Sequence, residues 1–487
     1  MEPIMSDARW QVHRYRFDLP VGDLSLVLAD RSESLSELIK ALGGRDGQRF
    51  LLGPNGFPDT RVNDFLGSAR MRNLAETSNR DYAGCLALWL NFLETRGQEW
   101  FTASVDDVEE FQFWRLTDPT NPERVGTSTF SKDIAACKKF YRWASSRYPE
   151  VADIFAEVGS PRAKRTAGVK WLDPAAIARW RDVGLRGRTL DGGPDKSWRG
   201  RNEQRDSAFV DGLYGTGLRL TEWGSVVLPE LPTLELGRSF YTCRLADKCA
   251  KGGYGHPYWM PVDVLRAVRA YIEGPRARAV RDAQAEHRYD AVAARQIAQP
   301  AKRGGHVILI ADDGQEVQRP WNLIDPEQRR RLFMRTGSDL EPLALWLNED
   351  GLPRDPHGWH HTFDNANRRI AALGLPNFRC TPHMHRHSFA LKWFSIGKLV
   401  YAARLSSLEE DGTNDFRTQF GDTWHFVQTM LGHARVETTK NVYLEPFRNL
   451  DVEILLAHAD GFPVKEFLSQ AFRLHPNVAS DPVGTSW

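Results

Sequence analysis

The chain has 487 residues, 41% hydrophobic and 26% charged, with Lys+Arg 64 against Asp+Glu 63. That length calls for two or three domains with real apolar cores, and the composition excludes a disordered or fibrous chain. The five cysteines, Cys85, Cys137, Cys243, Cys249 and Cys380, contain no Cys-x-x-Cys pair. They argue against a disulfide framework or a cysteine zinc site and fit a reducing cytoplasm.

Met1 to Leu19 shows no signal-peptide core, and no stretch is apolar for long enough to span a bilayer. Residues 1–68 read as an N-terminal extension ending in the turn-rich Gly53-Pro54-Asn55-Gly56-Phe57-Pro58. From Thr77 the pattern is helical: Tyr82, Cys85, Leu86, Trp89, Leu90 and Leu93 recur at helix spacing, with Gly97 as a stop. A second helix starts after Ser104, and Thr117 to Gly126 is a loop. A third helix carries Phe130, Ile134, Cys137, Phe140, Tyr141 and Ala144 on one side, with Lys132, Lys138, Lys139 and Arg142 on others. Residues 69–150 are therefore a helical module with a basic surface.

Residues 151–205 form a basic linker and the start of the next domain. Between Arg162 and Arg205, twelve Lys and Arg face five Asp and Glu, a local net charge of +7 that includes Arg162, Lys164 and Arg165. Such a run can neutralise DNA phosphates or be a solvated segment whose countercharge lies elsewhere. Ala208 to Val227 begins as a helix interrupted by glycines at 212, 215 and 217. Phe240 to Leu245 and His256 to Val262 read as paired strands around a glycine-rich turn. Val264 to Ile272 is helical, the stretch from Pro275 to about Asp355 holds a basic helix, a strand at His306 to Ile310 and a second helix near Arg329, and Trp359 to Leu373, Ser388 to Ile396 and Trp424 to Leu431 are helices.

Four places carry side chains suited to a phosphodiester: Gly215-Thr216-Gly217-Leu218-Arg219-Leu220-Thr221-Glu222, Lys251 in the turn, His383-Met384-His385-Arg386-His387, and Leu431-Gly432-His433 followed ten positions on by Tyr443. Singly each is ordinary. In this order they resemble the tyrosine recombinase or phage integrase family, with its Thr-Gly-Leu-Arg-x-x-Glu box, hairpin lysine, His-x-x-Arg-His box, Leu-Gly-His box and final tyrosine. The resemblance covers roughly residues 70 to 450.

It implies an α+β, mostly α fold: a helical SAM-like core-binding domain over 69–150 and a catalytic domain over 206–450 with a small antiparallel sheet. It also implies a site-specific recombinase that cuts and rejoins DNA through a 3′-phosphotyrosine. Arg219 and Arg386 would clamp the phosphate, Tyr443 attack it, Lys251 protonate the departing oxygen, and His383 and His433 assist, with Glu222 and His387 in support. The family needs no metal, ATP or other cofactor. It works on double-stranded DNA, commonly as a homo-tetramer on paired sites and sometimes with accessory proteins.

Two departures stand out. His385 occupies the place of an inward-packing leucine, and Ala250-Lys251-Gly252 replaces Gly-Lys-Gly, which leaves Lys248 as a rival to Lys251. The wide spacing from Arg219 to His383 marks added material within 275–350, and a second insertion lies near 405–422. The tail, 451–487, offers helices at Leu450 to Ala457 and Val464 to Phe472. The rival readings are an accessory or inactive DNA-binding protein, a type IB topoisomerase-like enzyme, and a metal enzyme. The last is disfavoured by the lack of a His-Glu-x-x-His motif despite clustered histidines.

Overall fold

The computed structural model describes residues 9–17, 35–41, 43–74, 76–159, 171–302, 304–405, 423–431 and 478–483. The chain divides into two compact units, Met1–Thr166 and Ala167–Trp487.

In the first unit, β1 (Gln11–Arg14) pairs antiparallel with β2 (Arg49–Leu52), and α1 (Leu35–Ala41) lies between them in sequence. The helices α2 (Thr60–Leu66), α3 (Ala69–Arg72), α4 (Glu76–Thr95), α5 (Val105–Leu116) and α6 (Thr127–Ser145) follow. Their starts are written in side chains. Asp59 accepts from the backbone N–H groups of Arg61 and Val62, and Ser104 and Asp107 form a reciprocal capping box. The apolar stripe of α4 (Leu86, Trp89, Leu90, Leu93) packs against that of α6 (Phe130, Ile134, Cys137, Phe140, Tyr141). Within this core the Trp89 indole donates to the Tyr141 hydroxyl at 3.1 Å, and that hydroxyl donates to the Trp100 carbonyl at 2.7 Å, so the buried indole N–H and the buried hydroxyl both have partners. The stretch read as an extension also feeds the core, through Leu51, Val62, Phe65 and Leu66.

The second unit opens with β3 (Trp171–Leu172), α7 (Pro174–Leu185), α8 (Glu203–Thr216) and α9 (Leu220–Gly224). The hairpin β4 (Phe240–Arg244) and β5 (Pro257–Pro261) follows in antiparallel register, then α10 (Val262–Tyr271) and α11 (Ala277–Ala285). The predicted break of the first helix does not occur: α8 runs through Gly212 and Gly215 and stops only at Gly217. The reason is packing. A Cβ at Gly212 would stand 2.4 Å from the Trp223 ring, and one at Gly215 2.6 Å from Val264. These two glycines let neighbours approach; they are not turn residues.

The stretch 275–350 is richer in strand than the sequence suggests. β6 (Gln296–Pro300), β7 (His306–Ala311), β8 (Glu316–Pro320), α12 (Pro326–Arg329), β9 (Leu332–Thr336) and β10 (Asp339–Pro342) build a sheet ordered β10-β9-β6-β7-β8, antiparallel except where β6 meets β9. Val227, Ala298, Val307, Leu309, Ile324, Leu332 and Leu343 seal it to the unit. Three helices complete the described part, α13 (Trp359–Ala372), α14 (Pro382–Leu405) and α15 (Thr423–Leu431), together with β11 (Val478–Ala479), which pairs parallel with β3. The principal core gathers Trp180, Phe209, Trp223, Trp346, Trp359 and Phe363, with Phe209 and Trp359 stacked at 3.5 Å between centroids. The fold is the expected α+β arrangement, mostly helical with small sheets. Among the described residues no helix is long and apolar enough to cross a membrane.

Candidate active site

The geometry begins at the end of α8. Gly217 takes the left-handed conformation, φ +68°, and its N–H closes on the Leu213 carbonyl. The chain then turns so that Arg219 caps α9. Glu222, three residues on, accepts the backbone N–H of Arg219 at 2.8 Å and its Nη1 at 2.8 Å. The same carboxylate accepts the backbone N–H of Lys251 at 3.2 Å and lies 3.9 Å from Nη1 of Arg386. One buried carboxylate thus gathers three cationic residues from three separate elements.

Arg386 sits in the second turn of α14 with 1% of its surface exposed. Its Nη1 donates to the Gly217 carbonyl, and its Nη2 to the Leu431 carbonyl at 2.7 Å. It therefore ties the end of α8 to the end of α15. Burial alone would raise the Glu222 pKa. The charges of Arg386 and Arg219, with the hydrogen bonds from Arg219, outweigh it and hold the carboxyl below its ordinary range. Glu222 is ionised, and removing it would strand buried guanidinium charge, which costs about 3–5 kcal/mol in comparable cases.

His383 stands at the start of α14 where solvent reaches it. The protein crowded round it, then the charges of Arg386, Arg219 and Lys251, lower its pKa and keep the imidazole neutral near pH 7. His387 lies edge-on to His383, 4.8 Å between centroids, and edge-on to Trp171 at 5.7 Å. His385 is wholly buried against Trp180 and Phe363, its Nε2 3.3 Å from the Cys380 sulfur, and burial pushes its pKa down to about 3. The residue standing in for leucine therefore packs inward as leucine would, as a neutral ring.

A cleft of about 480 Å³ opens over this cluster. Arg219, Lys251, Asp364, Arg379, His383 and Arg386 line it. Four cations face Asp364 at the lip and Glu222 beneath, leaving an anion-binding surface. Lys248, in the short turn Asp247–Cys249, is exposed and does not line the cleft. His433 and Tyr443 lie outside the described residues, as do Arg162, Lys164, Arg165 and the tail helices. Sequence reasoning missed Arg379 and Asp364 as cleft residues. Arg379 precedes His383 by four positions, but nothing in that spacing distinguishes it from any exposed loop arginine.

On α6 of the first unit, Lys132 and Arg142 are exposed, Lys138 and Lys139 are half-buried, and Lys139 sits over the Tyr82 ring at 5.3 Å. The described part of the basic run finds countercharges both within and beyond itself. Arg179 meets Asp481, Arg181 meets Asp182 and Asp211, Arg186 meets Asp182, Arg201 meets Glu349, and Arg205 meets Asp206. These arginines serve the unit's own ion pairs.

A family model described as the phage integrase N-terminal SAM-like domain matches residues 65–148, the span from the end of α2 to just past α6. A tyrosine recombinase XerC from Roseiflexus sp. (strain RS-1) is 23% identical over 372 residues, 76% of this chain and 83% of that protein. Among solved structures, XerH site-specific recombinase bound to a palindromic difH substrate as a post-cleavage complex aligns at 14% identity and TM-score 0.44, covering 85% of this chain and 87% of that one. XerA recombinase aligns at 15% identity and TM-score 0.29, covering 78% and 92%.

Proposed function

We propose that this chain is a tyrosine recombinase, cutting and rejoining double-stranded DNA through a covalent 3′-phosphotyrosine on Tyr443. The observation that carries the reading is the convergence of Arg219, Lys251, His383 and Arg386 on one cleft, although they span positions 219 to 386. Chain proximity joins only His383 and Arg386, on one helix; the fold brings Arg219 and Lys251 to them, and a phosphodiester needs all four together.

The chemistry follows from the groups. As the Tyr443 oxygen bonds to phosphorus, the bond from phosphorus to the 5′ oxygen breaks and negative charge grows on the non-bridging oxygens. Guanidinium groups stay charged and present paired N–H donors, so Arg219 and Arg386 suit that growing charge. Glu222 holds Arg219 in place by two hydrogen bonds and so acts as a positioning residue. Lys251, at the cleft wall, gives a proton to the departing 5′ oxygen. The phenol's proton passes to a histidine, His383 or His433, and a neutral imidazole is the form that accepts one. One phosphate ester replaces another, so rejoining draws on the bond energy kept in the phosphotyrosine, and the step as written uses neither ATP nor metal. Work as four copies on paired DNA sites belongs to the same reading.

The test uses labelled DNA from the regions flanking the gene, incubated with the purified chain in EDTA and denatured in SDS. Wild type should leave a protein–DNA adduct and Tyr443→Phe should leave none. An adduct surviving Tyr443→Phe would make another residue the nucleophile. Retarded DNA on a native gel with no adduct would favour a binding protein.

A further inference from the structure

The sheet formed by residues 296–342 has no counterpart in the motifs that define the cleft, yet it reaches the turn that bears Lys251. Two contacts make the junction. The Asn322 side-chain amide donates to Oδ2 of Asp247 at 2.9 Å, and the Cys249 sulfur meets the Ile324 carbonyl at 3.7 Å. Asp247 is itself the hinge post of the hairpin: its Oδ1 accepts the Gly255 N–H at 2.9 Å, closing the turn from the far side. A side chain at Gly255 would come 2.2 Å from the Leu245 carbonyl and 2.5 Å from Asp247, so the closure has no slack.

The residues that supply these contacts are anchored in turn. Buried Arg329 donates to the carbonyls of Ile324, Trp321 and Ser225 at 3.0 to 3.2 Å, and to both carboxylate oxygens of Glu230 at 2.7 Å. Ser225 directly follows α9, which carries Glu222. The segment 321–329 is therefore fastened to the frame of the arginine site and, through Asn322 and Ile324, to the turn of the lysine. Lys251, exposed and followed by Gly252 and Gly253 at positive φ (+92° and +79°), meets the arginine site through its backbone bond to Glu222.

We propose that the added sheet is a brace for the lysine turn, and that Asn322, acting through Asp247, is a positioning residue for proton transfer by Lys251. The inference rests on the role given to Lys251 above. The added segment acts on the chemistry without touching the reacting atoms.

Two measurements on the full chain test it. In the free protein, Asn322→Ala should speed amide hydrogen exchange several-fold over 245–255 while leaving α8 and α13 unchanged; unaltered exchange in the turn would overturn the brace. Asn322→Asp keeps the side chain's size, sets a carboxylate against Asp247, and should give the same pattern if the alanine variant folds poorly. On a duplex the wild type cuts, Asn322→Ala should slow adduct formation at least tenfold. Sulfur in place of the bridging 5′ oxygen at the scissile position should restore the rate, because a thiolate departs without a proton. Lys251→Ala is the reference. If sulfur does not rescue Lys251→Ala, the reading of Lys251 as the acid fails, and the brace is judged by exchange alone. If sulfur rescues Lys251→Ala while Asn322→Ala is as fast as wild type, or equally slow on both duplexes, the brace fails.

Discussion

His385 shows how a single position can keep a fold while changing its chemistry. A leucine there would be indifferent to pH. The imidazole, sealed among Trp180, Phe363 and Cys380, has its pKa pushed to about 3 by burial, so the folded chain holds it neutral. The unfolded chain protonates it below about pH 6.5. A lowered folded pKa means the stabilisation is complete above the unfolded value and is lost as pH falls toward 3. Between pH 7 and pH 5 this one group should remove about 2 kcal/mol of stability. His385→Leu should lose that much less over the same interval, as read from urea unfolding at the two pH values. Equal pH slopes in the two proteins would mean the ring takes up its proton inside the fold.

At the scale of elements, the junction of α8, α9, α14 and α15 rests on one cap. Gly217 ends α8 in the left-handed region, and its carbonyl receives Arg386 while Arg386 also holds Leu431. A Cβ there would lie 2.4 Å from the Phe389 ring in addition to carrying the backbone penalty of about 1–2 kcal/mol for a left-handed L-residue. Gly217→Ala should lower stability by at least that much and reduce adduct formation more than a hundredfold, because Arg386, proposed above as a phosphate clamp, loses its seat. Thermal unfolding and the SDS adduct assay check the two halves separately. A variant that is destabilised yet fully active would separate the cap from the placement of Arg386.

At the scale of the whole molecule, the chain is built as two separate units. The first contains the SAM-like match and the basic face of α6; the second contains the cleft. If α6 lies against the DNA backbone, each lost phosphate contact removes about 0.9 from the slope of log affinity against log salt concentration. Lys132→Ala combined with Arg142→Ala should therefore flatten that slope by about 2 in fluorescence anisotropy titrations across salt. An unchanged slope would remove α6 from the interface.

Much of this was legible in the chain. Helix periodicity located α4, α6 and α13, Ser104 marked the start of α5, and the paired strands β4 and β5 were foreseen, because these signals are local and need no partner. The ordered boxes carried the resemblance to the family for a related reason: side chains with rare joint chemistry stand in a set order along the chain. Three matters waited for the tertiary structure. Gly212 and Gly215 read as breaks until Trp223 and Val264 were seen to need their room. In the described part of the basic run, the countercharges Asp211, Glu349 and Asp481, distant in sequence, came into view against its arginines only in the fold. Between Lys251 and Lys248, the sequence offered only the wording of a turn, whereas the fold sets the Lys251 backbone against Glu222 and lines the cleft with its side chain. Periodicity and motif order are properties of neighbours along the chain; close approach, countercharge and convergence are properties of neighbours in space, and folding alone creates them.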